Sequence, residues 1–182
     1  MNWKDHLESL ENKKEWFEAI KLVQKVLMNE PCEKEVYIRG IYLLLNLLLE
    51  EEYPVDKHDV LASLLKNYFE ESYAKYSGDA EYLFFIGYFI ELGDWYFGED
   101  KLRLADEMTK KALSLEPTNI LYKWSLSFSK NDPVVGELSR KILTDDKSVI
   151  SWLKSKGAPG QYILNVINNC NKKNNSVDYR CE

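Results

Sequence analysis

Residues 79–117 read DAEYLFFIGYFIELGDWYFGEDKLRLADEMTKKALSLEP. Large apolar side chains return at helical spacing through Tyr82, Phe85, Ile86, Phe89, Leu92 and Tyr96, and the same period resumes through Leu102, Ala105 and Ala112. This predicts two helices. Ser77-Gly78-Asp79 stops the helix before and starts this one, while Pro117 ends the second helix, since its ring cannot continue the ladder and disfavours α geometry at Glu116. Gly93 and Ala105 suit a place where two helix backbones come too close for a large side chain. The stretch is therefore an antiparallel helix pair, and the rest of the chain is organised around it.

The offsets of Phe89, Leu92-Gly93, Tyr96, Ala105, Ala112 and Pro117 resemble those of a tetratricopeptide-type (TPR) repeat, with Thr109 standing where an aromatic residue is usual. In that family the first helix of each pair lines a concave groove, and the resemblance puts Asp94 at a groove-facing offset. Ala80, Gly87, Glu91, Asp94 and Gly98 would form the remaining stripe of the helix, with two carboxylates among small residues. That stripe is either a recessed acidic contact surface or the solvated edge of a buried helix. Trp95 joins the apolar remainder of the same helix.

Upstream, residues 2–30 form two helices with a turn near Glu11-Asn12, and Trp16, Ala19 and Pro31 repeat the offsets of Leu102, Ala105 and Pro117. Residues 33–52 form a third helix whose apolar positions leave little polar face, with Gly40 as another point of close packing. It runs into Glu50, Glu51 and Glu52, three acids at the negative end of the helix dipole. They read either as a solvated helix end or as a fixed patch for a cationic partner. A turn at Pro54, with Asp56 or Asp59 as cap, leads to a fourth helix over Val60–Tyr76.

Downstream, Thr118-Asn119 caps a segment over Ile120–Ser129, and shorter helices follow from Pro133, from Asp146 and from Pro159. These are expected to cap a repeat-like core. The spacing between Pro31 and Pro117 is not a multiple of a 34-residue repeat, so the expected fold is all-α, an irregular TPR-like bundle of about eight or nine helices in a single domain over residues 1–167. Residues 168–182, NNCNKKNNSVDYRCE, are read as a polar, mobile tail.

Composition narrows the function. Residues 1–146 carry 18 basic and 28 acidic groups, while residues 147–182 carry 6 and 2, so the helical body is the acidic part. A phosphate-backbone binder needs a basic face, and no direct nucleic-acid partner is expected. Three cysteines and two histidines at wide spacing propose neither a disulfide framework nor a metal site, and no cofactor is expected. The charged N-terminal segment and the shortness of the Ile41–Leu49 apolar run predict a cytoplasmic chain with no membrane partner. No phosphate-loop, dinucleotide, nucleophile-elbow or zinc-protease motif occurs, and His6 and His58 sit on charged segments, so the chain reads as a binding protein and not an enzyme.

Size, charge and the run YSGDAEYLFFIGYFIELGDWYFG followed by KALSLEPTNILYKW, in residues 76–124, resemble the small acidic all-helical immunity proteins of bacterial contact-dependent and polymorphic toxin systems. The resemblance implies a cytoplasmic protein that neutralises one cognate toxin domain, often a basic nuclease, by direct complex formation. The alternative is a TPR-type adaptor or secretion chaperone holding an extended segment of its partner. The candidate partner-binding residues are Glu50, Glu51, Glu52, Glu91, Asp94 and Trp95. The sequence sets no oligomeric state.

Overall fold

The computed structural model describes residues 2–29, 33–98 and 101–177. Among them are ten α-helices, two short 3-10 turns and no strand. The helices are α1 (Trp3–Asn12), α2 (Trp16–Asn29), α3 (Lys34–Glu50), α4 (His58–Tyr76), α5 (Ala80–Leu92), α6 (Lys101–Leu115), α7 (Ile120–Ser129), α8 (Val135–Asp145), α9 (Lys147–Ser155) and α10 (Ala158–Val177). The 3-10 turns are Val55–Lys57 and Asp94–Tyr96.

Short polar side chains set several of these starts by accepting from amides that the first helical turn leaves unpaired. The Asp79 carboxylate accepts from the Tyr82 amide at 2.9 Å, Asn119 from the Leu121 amide at 3.0 Å, and Asp146 from the Val149 amide at 3.2 Å. Helix α4 begins differently. It follows directly from the 3-10 turn at His58, and neither Asp56 nor Asp59 caps it with a side chain. Pro31, expected to close the first unit, lies outside the described residues.

Helices α3 and α5 form the centre. On α5 every residue from Tyr82 to Ile90 is buried, and on α3 the burial runs from Val36 to Leu45. Each pairs with the helix that follows it, α3 with α4 and α5 with α6, and the buried side chains of α1 through α10 join in one cluster. The α5–α6 contact corrects the expected register. The glycine against Ala105 is Gly87, where a Cβ would lie 3.3 Å from the Ala105 carbonyl and 3.1 Å from Thr109 Oγ1. Gly93 packs elsewhere, with its Cβ position 3.1 Å from Leu45 Cδ1 on α3. Gly87 is thus a buried contact point and not part of a solvated stripe, and the small Thr109 sits opposite it.

The last two helices lie across the middle of the molecule. Trp152 of α9 packs on Phe85 of α5, with ring centroids 5.6 Å apart, and Tyr162 of α10 lies against Tyr42 of α3 at 5.8 Å and Tyr88 of α5 at 6.3 Å. The face shared by α3 and α5 is therefore covered by the chain's own C-terminal helices. Helix α10 also runs past Asn168, where a tail was expected, to Val177. Buried Ile163 and Ile167 and half-buried Cys170 recur at four and three residues, which carries the apolar face of α10 one turn beyond its reading as a tail. Residues 178–182 lie outside the described part.

Candidate protein-docking surface

The junction between α3 and α4 gathers most of the sequence-derived candidates. Helix α3 ends at Glu50 with no basic residue in its last turn, and Glu51 leaves in an extended conformation. Lys14 reaches across from the α1–α2 turn to Glu51 at 3.0 Å, neutralising one acid of the run. Glu50 and Glu52 are exposed, as are Asp56 and Asp59 just beyond. Only Lys57 intervenes among them, paired with Asp56 at 3.0 Å on the open surface.

Four rings run through this acidic end. Tyr53 stacks on His58 at 6.1 Å and 15°, and its hydroxyl is 2.7 Å from His58 Nδ1. The His58 ring lies 5.9 Å from Tyr96, which lies 5.6 Å from Trp95. His58 is consequently a half-buried, hydrogen-bonded side chain and not the free surface histidine its charged segment suggests. Burial and the neighbouring Tyr96 hold the Tyr53 phenol above its ordinary pKa.

Trp95 closes the row, 63% exposed, with Val55 and Val60 also open at 89% and 63%. Among the described residues Trp95 is the most exposed large ring, followed by Phe17 at 41%, and an indole open to that degree marks a surface that gains from being covered. Its exposure follows from the early end of α5. The helix was expected to continue through Tyr96, which would make Trp95 part of a buried helical face. Instead α5 stops at Leu92, and Asp94–Tyr96 form a 3-10 turn that swings the indole outward. Asp94 comes with it, half-buried, to the same end of the molecule.

Glu91 does not join this surface. Ser129 of α7 donates to its carboxylate at 2.6 Å, making it a tie between α5 and α7. Burial, opposed by that hydrogen bond and aided by the charge of Asp106, leaves the Glu91 carboxyl above its usual pKa. The stripe of Ala80, Gly87, Glu91, Asp94 and Gly98 thus breaks up: Gly87 is covered, Glu91 is engaged internally, and the last two residues lie beyond the helix end.

Neither a known protein family nor a curated protein matches this chain. The reading of the surface therefore rests on geometry alone. Among the described residues no helix is long and apolar enough to cross a membrane, and no group of His, Cys, Asp and Glu side chains is arranged to hold a metal ion.

A buried charge cluster escaped the sequence reading. Arg39, 2% exposed, donates to Glu8 at 2.9 Å, to Glu35 at 3.1 Å and to the Ser155 carbonyl at 3.0 Å, tying α1 and α3 to the end of α9. Burial pushes the Glu35 carboxyl up, but the hydrogen bond from Lys4 and the charges of Arg39 and Lys4 outweigh it and hold it below its ordinary value. The signal was present: a single arginine in the apolar run VYIRGIYLLL has no solvated face to occupy, so it must bring its counter-charges inside.

Proposed function

We propose that this chain is a protein-binding inhibitor, an immunity protein that docks its acidic, aromatic end on a basic face of a cognate toxin domain and blocks it by complex formation. The observation that carries this reading is the row Tyr53, His58, Tyr96 and Trp95, ending in an exposed indole and rimmed by Glu50, Glu52, Asp56, Asp59 and Asp94. A central aromatic anchor inside a charged rim is how compact interfaces combine affinity with fast, selective encounter. Net negative charge over the helical body adds long-range attraction for a basic domain.

The adaptor or chaperone reading finds less support. It needs an open concave face to hold an extended segment, and the face of α3 and α5 is taken by Trp152 and Tyr162.

The test is affinity capture of the partner from the native cell, then co-expression of the captured domain with this chain, scored as growth rescue, and binding kinetics of the purified pair. Rescue is expected for the wild type, and Trp95→Ala is expected to weaken the complex by roughly tenfold or more, in line with loss of an interface anchor. Full rescue and unchanged affinity after Trp95→Ala combined with Glu50→Lys and Glu52→Lys would remove this surface from the interaction. Failure of the wild type to rescue would remove the immunity reading.

A further inference from the structure

A cleft of about 420 Å³ opens between α1, α3 and α10, lined by Glu8, Glu11, Tyr42, Lys154, Tyr162 and Asn165 among others. At the Tyr42–Tyr162 ring pair it meets a smaller hollow of about 90 Å³ bounded by Asn46, Glu50 and Leu92. Glu8 is committed to Arg39. The Glu11 carboxylate and the Tyr42 and Tyr162 hydroxyls have no hydrogen-bond partner among the described residues, although Glu11 and Tyr42 are largely covered. Burial first, then Tyr162, Glu11 and Glu50, push the Tyr42 phenol far above its ordinary pKa, so both carboxylates act on the same hydroxyl. Two carboxylates with no ion pair or hydrogen bond of their own among the described residues flank a pair of aromatic rings in a concave space, Glu11 feeling Arg39 only through its charge.

We propose that this cleft receives an arginine side chain presented by the docking segment of a protein partner. A planar guanidinium stacks on tyrosine rings while forking its N–H groups toward a carboxylate, and it is more weakly hydrated than an ammonium, so it enters a half-covered site at lower cost. The phenol hydroxyls and the Asn46 and Asn165 amides offer further acceptors around it. Lys154 stands on the cleft wall, so the cation sits on the Glu11–Glu50 side. Glu50 is also the first acid of the docking surface, which places the cleft and Trp95 within one continuous footprint. The inference rests on the protein-binding reading above and names the partner's anchor chemistry.

The experiment titrates the intact chain with a capped peptide, Ac-Gly-Arg-Gly-Arg-Gly-NH2, against its lysine counterpart and against spermidine, following the side-chain amide signals of Asn46 and Asn165 by NMR. The arginine peptide is expected to shift both signals saturably and to bind several-fold tighter than the other two. Glu11→Gln, which removes charge without removing bulk, and Tyr162→Leu are each expected to weaken it by about fivefold or more, the loss of about one charge-assisted contact. Tightening from pH 6 to pH 8 is expected in the wild type and absent in Glu11→Gln. The groups facing Glu11 are Glu8, Arg39, Tyr42, Glu50, Lys154 and Tyr162, and the variant separates its contribution from theirs.

Equal binding of all three probes, or no effect of Glu11→Gln, overturns the proposal. Peptide binding without growth rescue would sink the immunity reading alone, and rescue without peptide binding would sink the cleft alone.

Discussion

Among the described carboxylates, Glu11 is the one whose surroundings most alter its chemistry. Burial raises its carboxyl pKa from 4.5 to about 7, with Arg39 opposing and Glu8 adding to the rise. Because the folded state holds this proton more tightly than the unfolded state, the stability it contributes is complete below the unfolded value near 4.5 and is lost as pH rises through about 7. The full linkage is on the order of 3 kcal/mol at most. Glu11→Gln is therefore expected to be more stable than wild type at pH 8, by about 1–3 kcal/mol, with little difference at pH 4.5, as read from urea midpoints at the two values. A constant difference across pH would show that Glu11 is not desolvated. Arg39 behaves oppositely: Arg39→Ala strands Glu8 and Glu35 around a buried gap and should cost about 3–5 kcal/mol at pH 7, measured by denaturation. Recovery of most of that loss in the double variant Arg39→Met with Glu35→Gln would confirm the penalty as one of unpaired charge.

At the scale of elements, helices were the most legible feature, because amphipathic spacing and short polar caps act within a few residues. Ile120–Ser129 could be read directly from its Asn119 cap and apolar period. Contacts between helices were less legible, since Gly87 and Gly93 look alike in sequence and differ only in which neighbour reaches them. Gly87→Val should force α5 from α6 at Ala105 and Thr109 and lower stability by about 1–3 kcal/mol, whereas a Cβ at Gly93 crowds the flexible end of Leu45, with Tyr96 and Leu49 at ordinary contact, so Gly93→Ala should cost less. Thermal melts of the two variants compare them directly, and an equal loss would contradict the assigned packing. Helix α10 is a structural element and not an appendage: Ile167→Ala should cost about 2–5 kcal/mol, because its side chain is fully buried.

For the whole molecule, the charge imbalance of the body was plain from composition, and the structure concentrates part of it beside exposed rings. Glu50, Glu52 and Asp94 of the docking surface could be listed from the sequence, whereas Asp56 and Asp59 read there only as helix caps. The separation of these acids from Glu91 could not be read there, because it depends on a hydroxyl 38 residues away. The Tyr42–Tyr162 cleft was equally hidden, since its walls come from opposite ends of the chain. With a basic partner, association should slow steeply between low and high ionic strength, and replacing Glu50, Glu52 and Asp56 with Lys should slow it further and flatten that dependence, while dissociation changes less. Stopped-flow rates at two salt concentrations check this, and salt-insensitive association would argue against electrostatic steering. The closure of α9 and α10 over the centre also governs how the protein is made. Arg39 must wait for the carbonyl of a residue 116 positions later, and the face that α3 and α5 turn to α9 and α10 stays open until that stretch has left the ribosome, even though α4 and α6 already cover their other sides. At roughly 5–20 residues per second, synthesis leaves those apolar faces waiting for several seconds, within reach of chaperones or of other nascent chains. A message cut short before codon 157 would thus yield a chain for quality control to remove, and not a smaller working protein.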